Sequence, residues 1–300
     1  MENREQKTPA YAEASAKQVK IWAEEIEGGG YKLLDSGDKF KLEEVDGVRI
    51  IRAEPRAWWK KELGEEEWKK AEKNSKLEKV IDTGLDSIKA KIKFDKKSKH
   101  IGIFPEQVAQ WQWISEKLKI EPKLKIPNSL NILNLFGYTG IASLVVAKVG
   151  AKVTHVDASK QSIDWAKENQ KLSGLENAPI RWIVDDCLKF LKREIKRGER
   201  YDAIIMDPPS YGKGPKGEVW KIEEKLPELL ELCKQILSDQ PLFIIFNMYS
   251  TELSSLSIKN LLNDITKDLG GSLESGELAI PHQNSDRLLP MSIFALWYAN

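Results

Sequence analysis

The sequence predicts an α/β protein with a doubly wound, mostly parallel sheet whose last strand runs antiparallel, preceded by a small β-rich N-terminal domain. Three observations lead there. From Asn131 onward, short apolar runs alternate with helical stretches, the pattern of right-handed crossovers in a sheet covered on both faces. Near the end, "ESGELAI" and "SIFALWYA" are joined by "PHQNSDRLLPM" with no intervening helix, so this last pair must be antiparallel. Residues 31–55 instead carry two turn signals, Asp35-Ser36-Gly37-Asp38 and Asp46-Gly47, each flanked by short apolar-rich runs as in small hairpins.

Taken in order, residues 1–27 are polar and Ala-rich and read as an arm or short helix, and the glycines at 28–30 as a flexible break. The β-rich unit occupies 28–84 and the main domain 85–300. "RAWWKKELGEEEWKKAEKN" reads as a charged helix whose Trp58, Trp59 and Trp68 serve packing. In "DSIKAKIKFDKKSKHIGIF", Lys89, Lys91 and Lys93 alternate with Ala90, Ile92 and Phe94, which puts the lysines on one face of a strand. Continued by Lys96, Lys97 and Lys99, that face is either plainly solvated or a phosphate-contact stripe.

In the main domain "NILNLF", "KVTHVD", "IRWIVDD", "YDAIIMD" and "PLFIIFNMY" are strands. "IASLVVAKVG", "SKQSIDWAKENQKLSG", "CLKFLKREIKRG" and "IEEKLPELLELCKQIL" are the helices between them. Ser159 caps the second helix and Gly174 closes it. After "YDAIIM", the prolines of Asp207-Pro208-Pro209 can neither donate to a ladder nor continue a helix, so the strand stops with a carboxylate at its tip.

The chain has 300 residues, of which 31% are charged, with a formal net charge of +1, so the total charge selects no partner. Nucleic acid is not excluded, since binding needs a local basic stripe. The two cysteines, Cys187 and Cys233, match no zinc or CxxC spacing, and no stretch approaches the roughly 18 apolar residues of a membrane span. A reduced cytoplasmic setting is expected. His100, His155 and His282 are scattered and form no metal set, and no metal is expected.

In open parallel sheets the ligand lies beyond the carboxyl ends of the strands. Here four successive strands end in Gly137-Tyr138-Thr139-Gly140, in Asp157, in Asp185-Asp186 and in Asp207. Any one of these acids alone reads as an N-cap; four strand ends in order read as a site. Gly137 and Gly140 let the backbone approach a ligand at a helix N-terminus. Asp157, roughly seventeen residues past Gly140, has the spacing of a ribose-binding acid, and Asp185 and Asp186 suit an adenine amino group. "FGYTGIAS" lacks both the GxGxxG and the GK[ST] phosphate patterns, so an adenosine ligand without phosphates, S-adenosylmethionine, fits better.

"LNLFGYTG", "HVDASKQSIDWAKENQ", "VDDCLKFL" and "MDPPSYGKG" together resemble the class I methyltransferases, in the order and spacing of that family's nucleoside motifs and (D/N)PP loop. More narrowly, the chain looks like the group holding the cytosine-C5 and guanine-N7 methyltransferases of large-subunit ribosomal RNA. "HIGIFPEQVAQWQW" resembles that group's segment before the catalytic fold, where a Gln, here Gln107, opens a helix beside the cofactor. The resemblance covers about residues 85–300 and implies a seven-stranded sheet. It implies that Phe136 to Gly140 (with Gly137, Tyr138 and Thr139) surround the methionine part, and that Asp157 holds the ribose. Ala158 and Ser159 would flank adenosine, and Asp186 and Cys187 would line adenine, with Asp185 nearby.

At the DPP loop, N–H groups of a base amine would donate to Asp207 and to the Pro208 carbonyl. Pro209 would keep the loop rigid, and Tyr211 would stack on an extruded base. Ser210, Lys213 and Lys216 would meet the substrate from a mobile glycine-rich loop. Ser210 shifts the aromatic by one residue from its usual place in amine methyltransferases, leaving guanine N7 or a carbon centre open. Carbon-5 methylation of cytosine needs a thiolate, which neither cysteine offers persuasively, so a nitrogen of an RNA base is the favoured acceptor. Guanine in ribosomal RNA is the leading expectation, with S-adenosylhomocysteine as product. Cytosine C5, a protein acceptor and an idle RNA-associated binding module are the alternatives.

Overall fold

In the computed structural model, residues 20–26, 28, 30–71, 76–95, 100–120, 130–249 and 252–300 are described. The N-terminal part opens with β1 (Lys20–Trp22), followed by β2 (Tyr31–Gly37), β3 (Phe40–Val45) and β4 (Val48–Ala53). Strands β2 to β4 form an antiparallel three-stranded sheet, with its turns at Asp38-Lys39 and Asp46-Gly47. Arg52 grips Glu43 with two hydrogen bonds of 2.5 and 2.6 Å, and Lys41 adds a cation 3.7 Å from the same carboxylate. Burial alone would raise the Glu43 pKa, but Arg52 and Lys41 outweigh it and bring it down to about 2.

The charged helix expected over residues 56–74 is much shorter. Among the described residues of that stretch only α1 (Glu65–Lys69) is helical, while Trp58 lies outside it and is 80% exposed. Trp68 is buried because its indole N–H donates to Asp35, which also accepts backbone N–H groups of Glu62 and Leu63. Strands β5 (Lys76–Asp82) and β6 (Lys89–Asp95) form a hairpin that straddles position 85. Lys91 pairs with Glu78 and Glu168, and Lys93 lies 5.0 Å over the Trp165 ring. Two of the three strand lysines are thus engaged within the protein, while Lys96, Lys97 and Lys99 lie outside the described residues.

A 3₁₀ turn (Pro105–Gln107) leads into α2 (Val108–Ile120), and then the sheet builds. It comprises β7 (Asn131–Leu135), α3 (Ile141–Lys148), β8 (Lys152–Asp157), α4 (Lys160–Leu172), β9 (Ile180–Val184), α5 (Cys187–Arg197) and β10 (Ala203–Met206). A short hairpin, β11 (Tyr211–Lys213) with β12 (Val219–Lys221), interrupts before α6 (Ile222–Ile236), β13 (Phe243–Met248), α7 (Ser255–Thr266), β14 (Ser272–Pro281) and β15 (Leu288–Tyr298). Helix α7 is an element the apolar pattern did not announce. The strand order is β1-β14-β15-β13-β10-β7-β8-β9. Strand β15 is antiparallel to both β13 and β14, and the other neighbours run parallel. Two hydrophobic clusters cover the sheet; one, built on Phe190, Phe246 and Leu229, is roofed by α5, α6 and α7.

The sheet has eight strands where seven were expected, because Lys20–Trp22 joins the edge of β14 in parallel. Gly276 makes this possible: a Cβ there would overlap the Lys20 carbonyl. Gly276→Ala is expected to release β1, abolishing amide-exchange protection at Lys20–Trp22 and costing about 1–2 kcal/mol. Trp22 fluorescence, which reports its packing 4.9 Å from Phe294, should shift toward the exposed range.

Candidate active site

Chains leaving β7 and β10, neighbours at the sheet centre, turn away in opposite directions and open a cleft between them, as at a topological switch point. A cavity of about 830 Å³ fills this cleft. The loop after β7 is tightly wound: Phe136, Tyr138 and Gly140 all have φ between 50° and 83°. Only glycine takes that region freely, so packing must hold the two aromatics there. Beneath them, a Cβ on Gly137 would run into the imidazole of His155, and one on Gly140 into Ala166 and Trp182. The loop therefore rests on its own floor.

His155 forms that floor. It is buried, its Nδ1 lies 2.9 Å from Ser143 Oγ, Ser143 accepts from Asn134, and its ring lies 4.7 Å from Trp182. Burial pushes its pKa down to about 3, so the imidazole is neutral. Counting histidines as scattered missed it; its place two residues before Asp157, between the glycine loop and the strand-end acid, is the signal that could have found it.

Asp157 ends β8 with one carboxylate oxygen accepting the Tyr138 N–H at 2.9 Å and the other the Ser159 N–H at 2.8 Å. Burial raises its pKa, and the two backbone donors counter it. Asp186 caps α5 by accepting the Lys189 N–H, and still lines the cavity beside Cys187. Asp207 ends β10. Its Oδ2 accepts from the Gln107 amide at 2.9 Å, and that same amide nitrogen donates to the Tyr249 hydroxyl at 3.0 Å. Burial in the cleft pushes the Asp207 pKa up to about 7; Gln107 opposes the shift and the nearby Glu106 carboxyl adds to it.

Most of the residues expected at the site meet here. Gln107, Phe136, Gly137, Tyr138, Thr139, Asp157, Ala158, Ser159, Asp186, Cys187, Asp207, Pro209, Ser210, Tyr211 and Lys213 all line the one cavity. Asp185 does not: it is turned to an ion pair with Arg193 and accepts the Asp186 N–H. Adjacent residues at a strand end face opposite ways, so only one acid of the pair could enter. Lys216 also stays out, its backbone N–H bound to Glu218, while Gly140 and Pro208 shape the loops without lining the space. The glycine-rich loop after Asp207 is a paired hairpin. Trp220 fastens it by donating to the Pro209 carbonyl at 2.5 Å and packing 5.0 Å from Phe136. The sequence reading also left out Glu106, Tyr249 and, from the N-terminal sheet, Lys41 and Arg52, all of which line the cavity.

The donor set suits an adenosyl ligand. Asp157 and Asp186 offer acceptors for hydroxyl and amine groups at adjacent strand ends, within a space that Phe136 and Tyr138 wall with aromatic surface. A family model of S-adenosylmethionine-dependent methyltransferases matches residues 86–241. The solved S-adenosylmethionine-dependent methyltransferase of Agrobacterium tumefaciens superposes with a TM-score of 0.84 and 37% identity, over 93% of each chain. Two curated relatives match a shorter part. The ribosomal RNA large subunit methyltransferase K/L of Shewanella frigidimarina is 39% identical over 39% of this chain and 16% of its own. The ribosomal RNA large subunit methyltransferase K of Neisseria meningitidis is 33% identical over 45% and 39%, respectively. This chain thus spans well under half the length of those curated relatives. Among the described residues no helix is long and apolar enough to cross a membrane. With the glycine loop, the strand-end acids and the match over most of the catalytic fold in agreement, this chain belongs to the S-adenosylmethionine-dependent methyltransferases.

Proposed function

We propose that the chain methylates a guanine nitrogen in large-subunit ribosomal RNA. The observation that carries this reading is the enclosed carboxylate of Asp207, held by Gln107 in the same cavity as the ribose-binding candidate Asp157. S-adenosylmethionine, when bound, supplies an electrophilic methyl group. The protein's part is to hold the acceptor in line and to shape its lone pair. Asp207 accepts an N–H of the base, which draws electron density onto the attacking nitrogen and stabilises the positive charge that develops there. Tyr211, 56% exposed at the cavity mouth, offers a ring on which an extruded base stacks, with Lys213 beside it for phosphate.

The cysteines favour nitrogen over carbon. The chain has only Cys187 and Cys233. Both are buried; burial raises the Cys187 thiol well above its ordinary range and pushes Cys233 up to about 12. Neither supplies the thiolate that addition to a cytosine ring requires. The ribosomal RNA acceptor is drawn from the names of the two curated relatives.

The test is transfer of labelled methyl groups to large-subunit RNA from cells lacking the gene, followed by nucleoside mass spectrometry. Methylguanosine is the expected product. A 5-methylcytidine product would refute the nitrogen assignment, and labelling of protein instead of RNA would refute the acceptor class.

A further inference from the structure

Glu106 is 0% exposed, lines the cavity, and makes no hydrogen bond of full geometry on either carboxylate oxygen. A buried carboxyl without a donor is costly, so something must complete it. Tyr249 is the complementary case. Its hydroxyl oxygen accepts from Gln107, so its own proton needs another acceptor, and the Glu106 carboxyl lies against it as that acceptor, short of ideal geometry. A small rotation satisfies both groups at once. The resulting chain runs from Glu106 through the Tyr249 hydroxyl and the Gln107 amide to Oδ2 of Asp207. Both N–H bonds of Gln107 are then committed, and the amide cannot turn.

We propose that Glu106 and Tyr249 are positioning residues of methyl transfer, which through Gln107 fix Oδ2 of Asp207 and so reserve Oδ1 for the acceptor N–H; this rests on the role given to Asp207 above. The chain also joins the catalytic loop to the N-terminal sheet. The groups facing Glu106 are Tyr31 on β2, Lys41 on β3, Arg52 on β4, Arg56 beyond it, and Tyr249 and Asp207 from the sheet ends. Burial raises the Glu106 pKa, and the cations of the small domain, Lys41 foremost, oppose that shift without cancelling it.

The test compares Tyr249→Phe, Glu106→Leu and Glu106→Gln with Asp207→Ala, using RNA methylation rates, the KM for S-adenosylmethionine and pH profiles. Tyr249→Phe and Glu106→Leu are expected to lower kcat about 10–100-fold with that KM within about twofold. Glu106→Gln keeps a carbonyl for the Tyr249 proton, so it should retain most of kcat. It should also move the ascending pH limb lower, because the charge opposing Asp207 ionisation is gone. The double variant Tyr249→Phe/Glu106→Gln should be no worse than Tyr249→Phe alone. If Glu106→Leu does not fold, Tyr249→Phe, which removes one oxygen, carries the comparison. Wild-type rates and an unmoved limb in these variants, with Asp207→Ala inactive, would overturn the relay and leave the Asp207 role standing. An active Asp207→Ala would overturn both.

Discussion

Asp207→Ala is expected to lower kcat/KM for methyl transfer by about 10²–10³-fold while leaving the affinity for S-adenosylmethionine within about threefold. In the proposed roles the side chain acts on the acceptor while Asp157, on another strand, serves the ribose, so the two effects separate. Isothermal titration against turnover measures the split. Asp207→Asn isolates the charge. The wild-type rate should climb with pH through about 7, where the buried carboxyl ionises and becomes a pure acceptor, and the climb should vanish in the Asn variant. Stability moves the other way. The folded-state pKa lies above the ordinary value of 3.8, so folding incurs no penalty below pH 3.8; the penalty grows between there and 7 and is full above 7. A carboxyl held at about 7 bounds the penalty at about 4 kcal/mol. Asp207 is only half-buried where it lines the cavity, so Asp207→Asn should gain about 1–2 kcal/mol at pH 8, seen as a melting temperature higher by about 2–5 °C. A variant no more stable than wild type at pH 8 would contradict the enclosed-carboxylate picture.

Gly137→Ala is expected to weaken S-adenosylmethionine binding by at least about 100-fold and to cost about 2–4 kcal/mol of stability. The backbone of Gly137 is not in the left-handed region, so the demand for glycine comes from space alone. The atoms its Cβ would meet first all belong to the His155 ring. That ring is buried, bonded to Ser143 and packed at a tilt against Trp182, so the glycine loop must lift instead. Lifting it breaks the Tyr138 N–H bond to Asp157, and that carboxylate loses its alignment in the cavity. The identity of the colliding group gives an internal control. His155→Ala added to Gly137→Ala should recover part of the binding, a non-additivity that titration calorimetry on the four proteins would reveal. Recovery of none of it would place the fault elsewhere in the loop.

The alternating half of the chain was legible because four successive strands, β7 to β10, are short apolar-rich runs leading into a glycine turn or an acid. That pattern alone located Asp157, Asp186 and Asp207 within one cavity. It did not decide between Asp185 and Asp186, since neighbouring residues point oppositely and which one enters depends on the twist of β9 where it meets α5. Strand β1 was illegible for a different reason. Three residues, Lys20-Ile21-Trp22, have no periodicity of their own and become a strand only because Gly276 leaves room on β14. The overlong helix at 56–74 arose from charge and tryptophan content, whereas the buried Asp35 carboxylate gathers the chain of Glu62 and Leu63 into a turn first. Glu106 and Tyr249 are 143 residues apart and meet only after the sheet has closed, so no local signal joins them.

The place of β15 also bears on the order of assembly. It lies between β13 and β14, and β14 in turn carries β1, whose Lys20 pairs with Glu274 across a sequence separation of 254 residues. Strands β7 to β10 can associate through short crossovers, while the edge that receives β1 does not exist until the β14–β15 hairpin has docked on β13. Closing so long a loop is entropically slow but becomes nearly free once its landing site is formed. The cofactor half is thus the natural nucleus, and the edge at β1 the last part to acquire native protection.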